Sequence, residues 1–262
     1  MTLSTSLLLL LLLGLCQAHP FLEEGEEEEE PDAGDITNTI LGSNTDIDDM
    51  LLEGDLLTPK TKNAIKCWNQ QCRWEKASNG SVMVPFTLSS DFTSSDKAKI
   101  NKAMQVYRDS TCIRFFPRQK ESDYISIENK GGCYSHLGRV GGKQLLSLKK
   151  TGCLAQGVIQ HELNHALGFQ HEQCRSDRDT HIRINWNNIK SGKTHNFDKH
   201  PTDNLNTPYD YNSIMHYGRW AFSINRRSET ITPIPNRSVY IGQRRDMSFW
   251  DIDRVNLLYG CV

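Results

Sequence analysis

The chain has 262 residues, 37% of them apolar and 24% charged, with a formal charge of −2 at neutral pH. That length and apolar content suffice for one sizeable domain, or two lobes around one cleft, and exclude a chain unfolded throughout. Beyond the N-terminal leucine run no stretch is apolar enough to cross a bilayer. No nucleic-acid-binding module is recognisable either, so membrane insertion and nucleic-acid partners are set aside.

The chain opens on LLLLLLLGLCQA, a leucine run with Ala18 as a small exit residue. Residues 1–18 read as a secretory signal peptide, too short for a membrane span, although the usual basic flank is missing. An extracellular, oxidising destination follows. Residues 1–62 carry 14 acidic and two basic side chains, including the run EEGEEEEE, while 63–262 carry 28 Lys and Arg against 18 Asp and Glu. The acidic stretch reads as disordered. By composition it is a solvating tail; by its place behind a signal peptide, 19–62 is a removable pro-segment. The basic remainder suits polyanionic surfaces such as extracellular matrix. Asp48 to Leu57 gathers apolar residues around Gly54-Asp55 and reads as a short docking segment. TPKTKN (58–63) is polar, basic and proline-bearing, an exposed place for proteolytic nicking.

The folded part begins near Asn63. SVMVPF (81–86) reads as a strand. A helix follows, with Ile100, Met104 and Tyr107 at helical spacing and Ser/Thr at its start. CIRFF and DYISIE alternate as strands, NKGGCYSHLGRVGG is glycine-rich loop or edge strand, and LLSL is a further strand. CLAQGVIQHELNHALGF is apolar at Leu154, Val158, Ile159, Leu163, Ala166 and Leu167, a helix buried on a broad face. From 170 to 247 periodicity fades into loops and turns, and FWDIDRVNLLYG closes the chain as a helix. The order of elements gives an α+β fold.

HELNHALGFQHE (161–172) carries the chemistry. Residues four apart share a helix face, so His161 and His165 project side by side. Gly168 breaks the helix and lets His171 approach from another direction. Three imidazoles leave one tetrahedral corner open, as a catalytic zinc site requires. Glu162 is placed to act as general base on a zinc-bound water whose pKa falls from about 15.7 to about 7. A helix with solvent-facing histidines is the bland alternative, and the long pattern H-E-x-x-H-x-x-G-x-x-H speaks against it. SIMHYG (213–218) fits the methionine turn that accompanies this motif. Met215 would form an apolar floor, and Tyr217 could reach the metal or stabilise the oxyanion of the attacked carbonyl.

These two stretches, HELNHALGFQHEQ.RSDRD and SIMHYG, resemble the signatures of the astacin metallopeptidases, within the metzincins. The likeness covers residues 63 to 261. CWNQQCRW and the closing LLYGCV are similar to the hatching enzymes of fish, the choriolysins. The resemblance implies a zincin fold: two lobes around an active-site cleft, a twisted sheet and two long helices in the N-terminal lobe, and an irregular C-terminal lobe with a closing helix. It implies one Zn2+ held by His161, His165 and His171, with Tyr217 as a movable additional ligand and Glu162 as base. Glu172 would meet the new amine of Asn63 after cleavage at Lys62. LEGDL (52–56) resembles the family's pro-segment switch, with Asp55 taking the water's place on zinc; Leu52 stands where the family commonly has an aromatic residue.

Cys16 leaves with the signal peptide, and six of the remaining seven cysteines can form three disulfides, with pairing left open by the residues themselves. The resemblance implies Cys112–Cys261, Cys133–Cys153 and Cys67–Cys72. Cys174, where the family usually has threonine, is then the leftover thiol: a small half-buried residue, an intermolecular partner or a reactive group near the cleft. The strand near Cys133-Tyr134-Ser135 should bound the cleft and pair with an extended substrate. Arg226, Arg227, Arg244 and Arg245 are candidates for a preference toward acidic residues after the cleaved bond. Asn79 and Asn236 head glycosylation sequons. The expectation is therefore a secreted, monomeric zinc endopeptidase, made as a zymogen, stored in secretory granules and activated by another protease. Its expected substrates are egg-envelope glycoproteins. The alternatives are the same protease serving digestion or matrix turnover, and an inactive matrix-binding module, against which the intact Glu162 argues.

Overall fold

The computed structural model describes residues 35–47, 50–57 and 72–261. The leader, the glutamate run, Lys62, Asn63 and Cys67 lie outside the described residues. One departure from the sequence reading falls within the acidic stretch. Ile36–Ser43 is a helix, α1, capped by Asp35, whose carboxylate accepts from Asn38 N–H at 2.7 Å. Its single apolar i,i+4 pair, Ile36 and Ile40, is too little for a periodicity signal. Both side chains are nonetheless buried in the main core, so tertiary packing makes this helix. A tight hairpin follows, β1 (Leu51–Leu52) and β2 (Leu56–Leu57).

Strands β3 (Val82–Leu88), β4 (Ile113–Pro117), β5 (Tyr124–Glu128), β6 (Cys133–Ser135) and β7 (Lys143–Leu148) complete a seven-stranded sheet of order β1-β2-β6-β7-β5-β3-β4. The centre, β4-β3-β5-β7, is parallel, and β6 is antiparallel to β7. Val82, Val84, Ile125, Ile127, Leu146 and Leu148 alternate along their strands, line one face of the sheet and are buried. Two helices supply apolar cover. Helix α2 (Ser94–Ser110) opens with a Thr93/Asp96 capping box and buries Ile100, Ala103, Met104 and Tyr107. Helix α3 (Gln156–Leu167) is buried from Gly157 to Leu167.

After α3 the chain is mostly loop and 3-10 turn. It holds one feature that the sequence reading passed over, the small antiparallel pair β8 (Ile182–Ile184) and β9 (Ile231–Pro233). Three residues are too few to declare an alternation. A second apolar cluster, centred on Phe197, Tyr209, Tyr217, Phe222 and Ile231, sits here. The closing helix α4 (Phe249–Tyr259) belongs instead to the first core, through Val255 and Tyr259. The structure joins Cys112 to Cys261 and Cys133 to Cys153. Cys72 is also disulfide-bonded.

Candidate active site

Helix α3 delivers His161, Glu162 and His165, and it is held from three sides. Tyr107 Oη donates to Gln160 O, Trp74 Nε1 to Ala166 O at 2.9 Å, and Tyr259 Oη to Leu167 O. The helix ends at Gly168 with φ +107°, a left-handed conformation that glycine adopts without strain. That turn brings His171 round to the other two rings, whose centroids lie 5.2 and 4.6 Å away.

Each imidazole gives its Nδ1 to an oxygen: His161 to Ile214 O at 2.6 Å, His165 to Phe169 O at 2.8 Å and His171 to Glu53 Oε2 at 2.6 Å. With Nδ1–H donated, each Nε2 carries a lone pair, and all three converge. His161 Nε2 and His165 Nε2 are 3.1 Å apart. Asp55 closes the group, its Oδ2 lying 3.0 Å from His161 Nε2 and 3.2 Å from His171 Nε2, its Oδ1 3.4 Å from His165 Nε2. Lone pairs and carboxylate oxygens so crowded, all buried, need a cation among them, and oxygen acceptors on Nδ1 are what orient metal-binding histidines. Three nitrogens and one oxygen are a zinc donor set. Burial pulls His171 down, yet Asp55 and Glu53 outweigh it and push it up to about 10, so the pocket draws positive charge.

Glu162 is fully buried beside this group, and neither oxygen has a hydrogen-bond partner among the described residues. Burial and then the Asp55 charge push its carboxyl well up, so it holds a proton more tightly than an exposed glutamate. The methionine turn lies beneath. Ser213 Oγ and the Ile214 N–H donate to Asp251 on α4, so α4 fixes the turn whose Ile214 carbonyl fixes His161. Met215 is buried in the main core.

Residues 67–260 match the model of the peptidase family described as Astacin. The chain belongs to the astacin family. It is a zinc metalloendopeptidase, acting on protein substrates. It is 57% identical to the high choriolytic enzyme 1 of Oryzias latipes over 264 residues, 98% of each chain. Identity to the low choriolytic enzyme of the same fish is 52%, over 98% of this chain and 97% of that one. A solved structure of high choriolytic enzyme 1, a hatching enzyme zinc-protease from medaka, aligns with TM-score 0.74 and 58% identity over 76% of this chain and all of that one. The astacin is thus closely related to fish hatching enzymes.

Other residues of this astacin marked in its sequence have varied surroundings. Cys174 is fully buried, not half-buried, which removes it as an intermolecular disulfide partner; burial and the Glu53 charge push its thiol well up and leave it inert. Glu172 takes both guanidinium arms of Arg254 at 2.6 and 3.0 Å, Arg175 at 3.3 Å and the Asp210 N–H at 2.7 Å. Tyr217 Oη donates to the Glu53 carbonyl, and its ring centroid lies 4.7 Å from that of His171. Among the four candidate arginines, Arg244 reaches Thr39 of α1 at 3.5 Å, while Arg226 and Arg227 are exposed. Asn79 and Asn236 are exposed, as glycan attachment requires. No described helix is long and apolar enough to cross a membrane. Sequence reasoning missed Glu53, His200, Asp251 and Arg254. Of these, Asp251 left a trace as the N3 residue of the Ser248-x-x-Asp251 capping box, and Glu53 as a member of LEGDL.

Proposed function

We propose that this astacin is a secreted zymogen whose processed form digests egg-envelope proteins at hatching. The observation that carries the zymogen reading is the position of 51–57. Strand β2 pairs with β6 at Leu56↔Ser135, the edge an extended substrate would use, and the turn before it puts Asp55 among the three imidazoles. A carboxylate there stands where the reacting carbonyl has to come. In this reading residues 1–18 are a signal peptide, 19–62 the pro-segment and 63–262 the peptidase. Cleavage after Lys62 by an activating protease frees the amine of Asn63, which reaches Glu172. Cys67–Cys72 forms the third disulfide, and the enzyme is stored in granules and acts as a monomer. The hatching role rests on the 57% identity to a choriolytic enzyme across 98% of both chains.

His161, His165 and His171 would hold the zinc. Zinc supplies a Lewis acid there and a water of lowered pKa. Glu162 takes the proton of the attacking water and passes it to the leaving amine, its burial keeping its affinity for protons high. Tyr217, released from the Glu53 carbonyl, offers its hydroxyl to the carbonyl oxygen as charge develops. The β6 edge holds the substrate backbone in line.

The test applies the processed, zinc-loaded 63–262 chain and its Glu162→Gln control to isolated fish egg envelopes, with casein in parallel. Peptide release from envelopes by the wild type alone is expected. Casein cleavage beside intact envelopes would overturn the hatching role and leave a protease of another tissue. No release from either substrate by a folded, zinc-loaded chain would overturn the assignment of the catalytic residues.

A further inference from the structure

Glu53 is the most constrained residue of the 51–57 hairpin. It is 1% exposed, and at φ +52° it sits in the left-handed region that non-glycine residues avoid. Gly54 follows at φ +79°, where a Cβ would come within 2.3 Å of Leu41 Cδ2, so the turn admits only glycine there. Such strain in a buried acidic residue needs compensation from the contacts it makes. Glu53 makes three. Its Oε2 accepts from His171 Nδ1 at 2.6 Å, its Oε1 from His200 Nε2, and its carbonyl from Tyr217 Oη. His171 and Tyr217 belong to the site already described; His200 does not. His200 lies in the loop after Phe197, with 29% of its side chain exposed, and its own backbone N–H donates to Cys174 O at 2.8 Å. Both Glu53 oxygens are taken by imidazoles, and that pairing accounts for the nearby grouping of Glu53, Cys174 and His200 without an ion.

We propose that Glu53 is a second lock of the pro-segment, beside Asp55: its carboxylate bridges His171 and His200, and its carbonyl engages the Tyr217 hydroxyl. Asp55 blocks the metal's open corner. Glu53 acts on the protein around it, fixing the third histidine by a carboxylate on Nδ1 and anchoring the hairpin to the second lobe through His200. Outer partners of this kind change metal affinity by about 10–100-fold. Removal of the segment then does two things at once: it uncovers the corner and frees Tyr217 and His171 from one and the same residue. His200 thus serves the inactive chain and has no duty in the processed one.

The inference rests on reading 19–62 as an inhibitory segment, and the experiment separates the two. The full chain is prepared uncleaved and zinc-loaded on a Glu162→Gln background, so that it cannot process itself. Amide hydrogen exchange over 50–57 and the rate of zinc transfer to a chromogenic chelator are then followed. Glu53→Gln should raise exchange in the hairpin about tenfold, in line with a charge-assisted bond lost, and speed zinc transfer. His200→Ala should raise exchange similarly, and the double variant should exceed either single variant by less than the product of the two. The processed chain carrying His200→Ala should keep its melting temperature and activity, which separates loss of the lock from loss of the fold. Unchanged exchange and zinc transfer in Glu53→Gln and His200→Ala, with both raised in Asp55→Asn, would overturn the second lock and leave the first. No change in any of the three would overturn the inhibitory reading itself.

Discussion

The two sides of the cleft are built by different means. The first is a hydrogen-bonded sheet with two helices, where ladders satisfy the backbone and the interior is left to Ile, Val, Leu and Phe. The second, from His171 to Met247, has one three-residue strand pair, so most of its carbonyls have no ladder to join. Arginine takes that part. Arg178 donates to Gln173 O at 2.7 Å and Phe197 O at 2.9 Å; Arg175 to Pro208 O and Thr207 O; Arg254 to Pro208 O at 2.7 Å. A rigid fork of donors ties together backbone that is otherwise irregular, and Glu172 balances the charge. Loops can therefore be shaped around a substrate without losing a fixed frame.

The largest expected effect tests the cleft itself. Glu162→Gln in the processed chain should lower kcat by about 10²–10⁴-fold on a peptide substrate. It should leave the melting temperature unchanged or raised, because an unpartnered buried carboxylate is removed. Next comes the ionic side. Glu172→Ala leaves Arg254 buried without its partner and should destabilise the chain by about 3–5 kcal/mol in urea titration. Ile127→Ala, in the centre of the sheet, should cost about 2–5 kcal/mol by the cavity it opens. Were Glu172→Ala no worse than a surface change, the view that ion pairs frame the second side would fail. Ser248→Ala removes the cap of α4 and should cost about 1 kcal/mol. The smallest effect is at the surface of the sheet. Lys143, with Ser126 and Lys130, outweighs burial and holds the Glu128 carboxyl at about 2. Its contribution is present above the unfolded value of 4.5 and fades as pH falls toward 2, so Glu128→Gln should flatten acid unfolding over that window, less so in high salt.

Legibility in the sequence follows the same division. The zinc histidines were readable because one helix and one glycine turn fix their spacing, so local sequence carries the geometry. Helices α2, α3 and α4 and strands β3, β4, β5 and β7 were readable from periodicity and caps. Helix α1 was not, since only Ile36 and Ile40 mark it and both depend on a distant core. Arg254 and Glu172 meet across 82 positions of sequence, and His200 and Glu53 across 147. No local pattern encodes such a meeting; it exists only once the backbone between has been placed.

The tie between Asp251 and the methionine turn has a consequence for the order in which the protein is made. His161 is oriented by Ile214, Ile214 by Asp251, and Glu172 by Arg254. On the ribosome, Arg254 emerges 82 residues after Glu172, a delay of roughly 4–16 s at ordinary elongation rates. Through that interval the nascent chain carries its zinc motif but lacks the props that aim it. A hydrolytic centre thus stays unaimed until the residues that hold it, 82 positions further on, have been made.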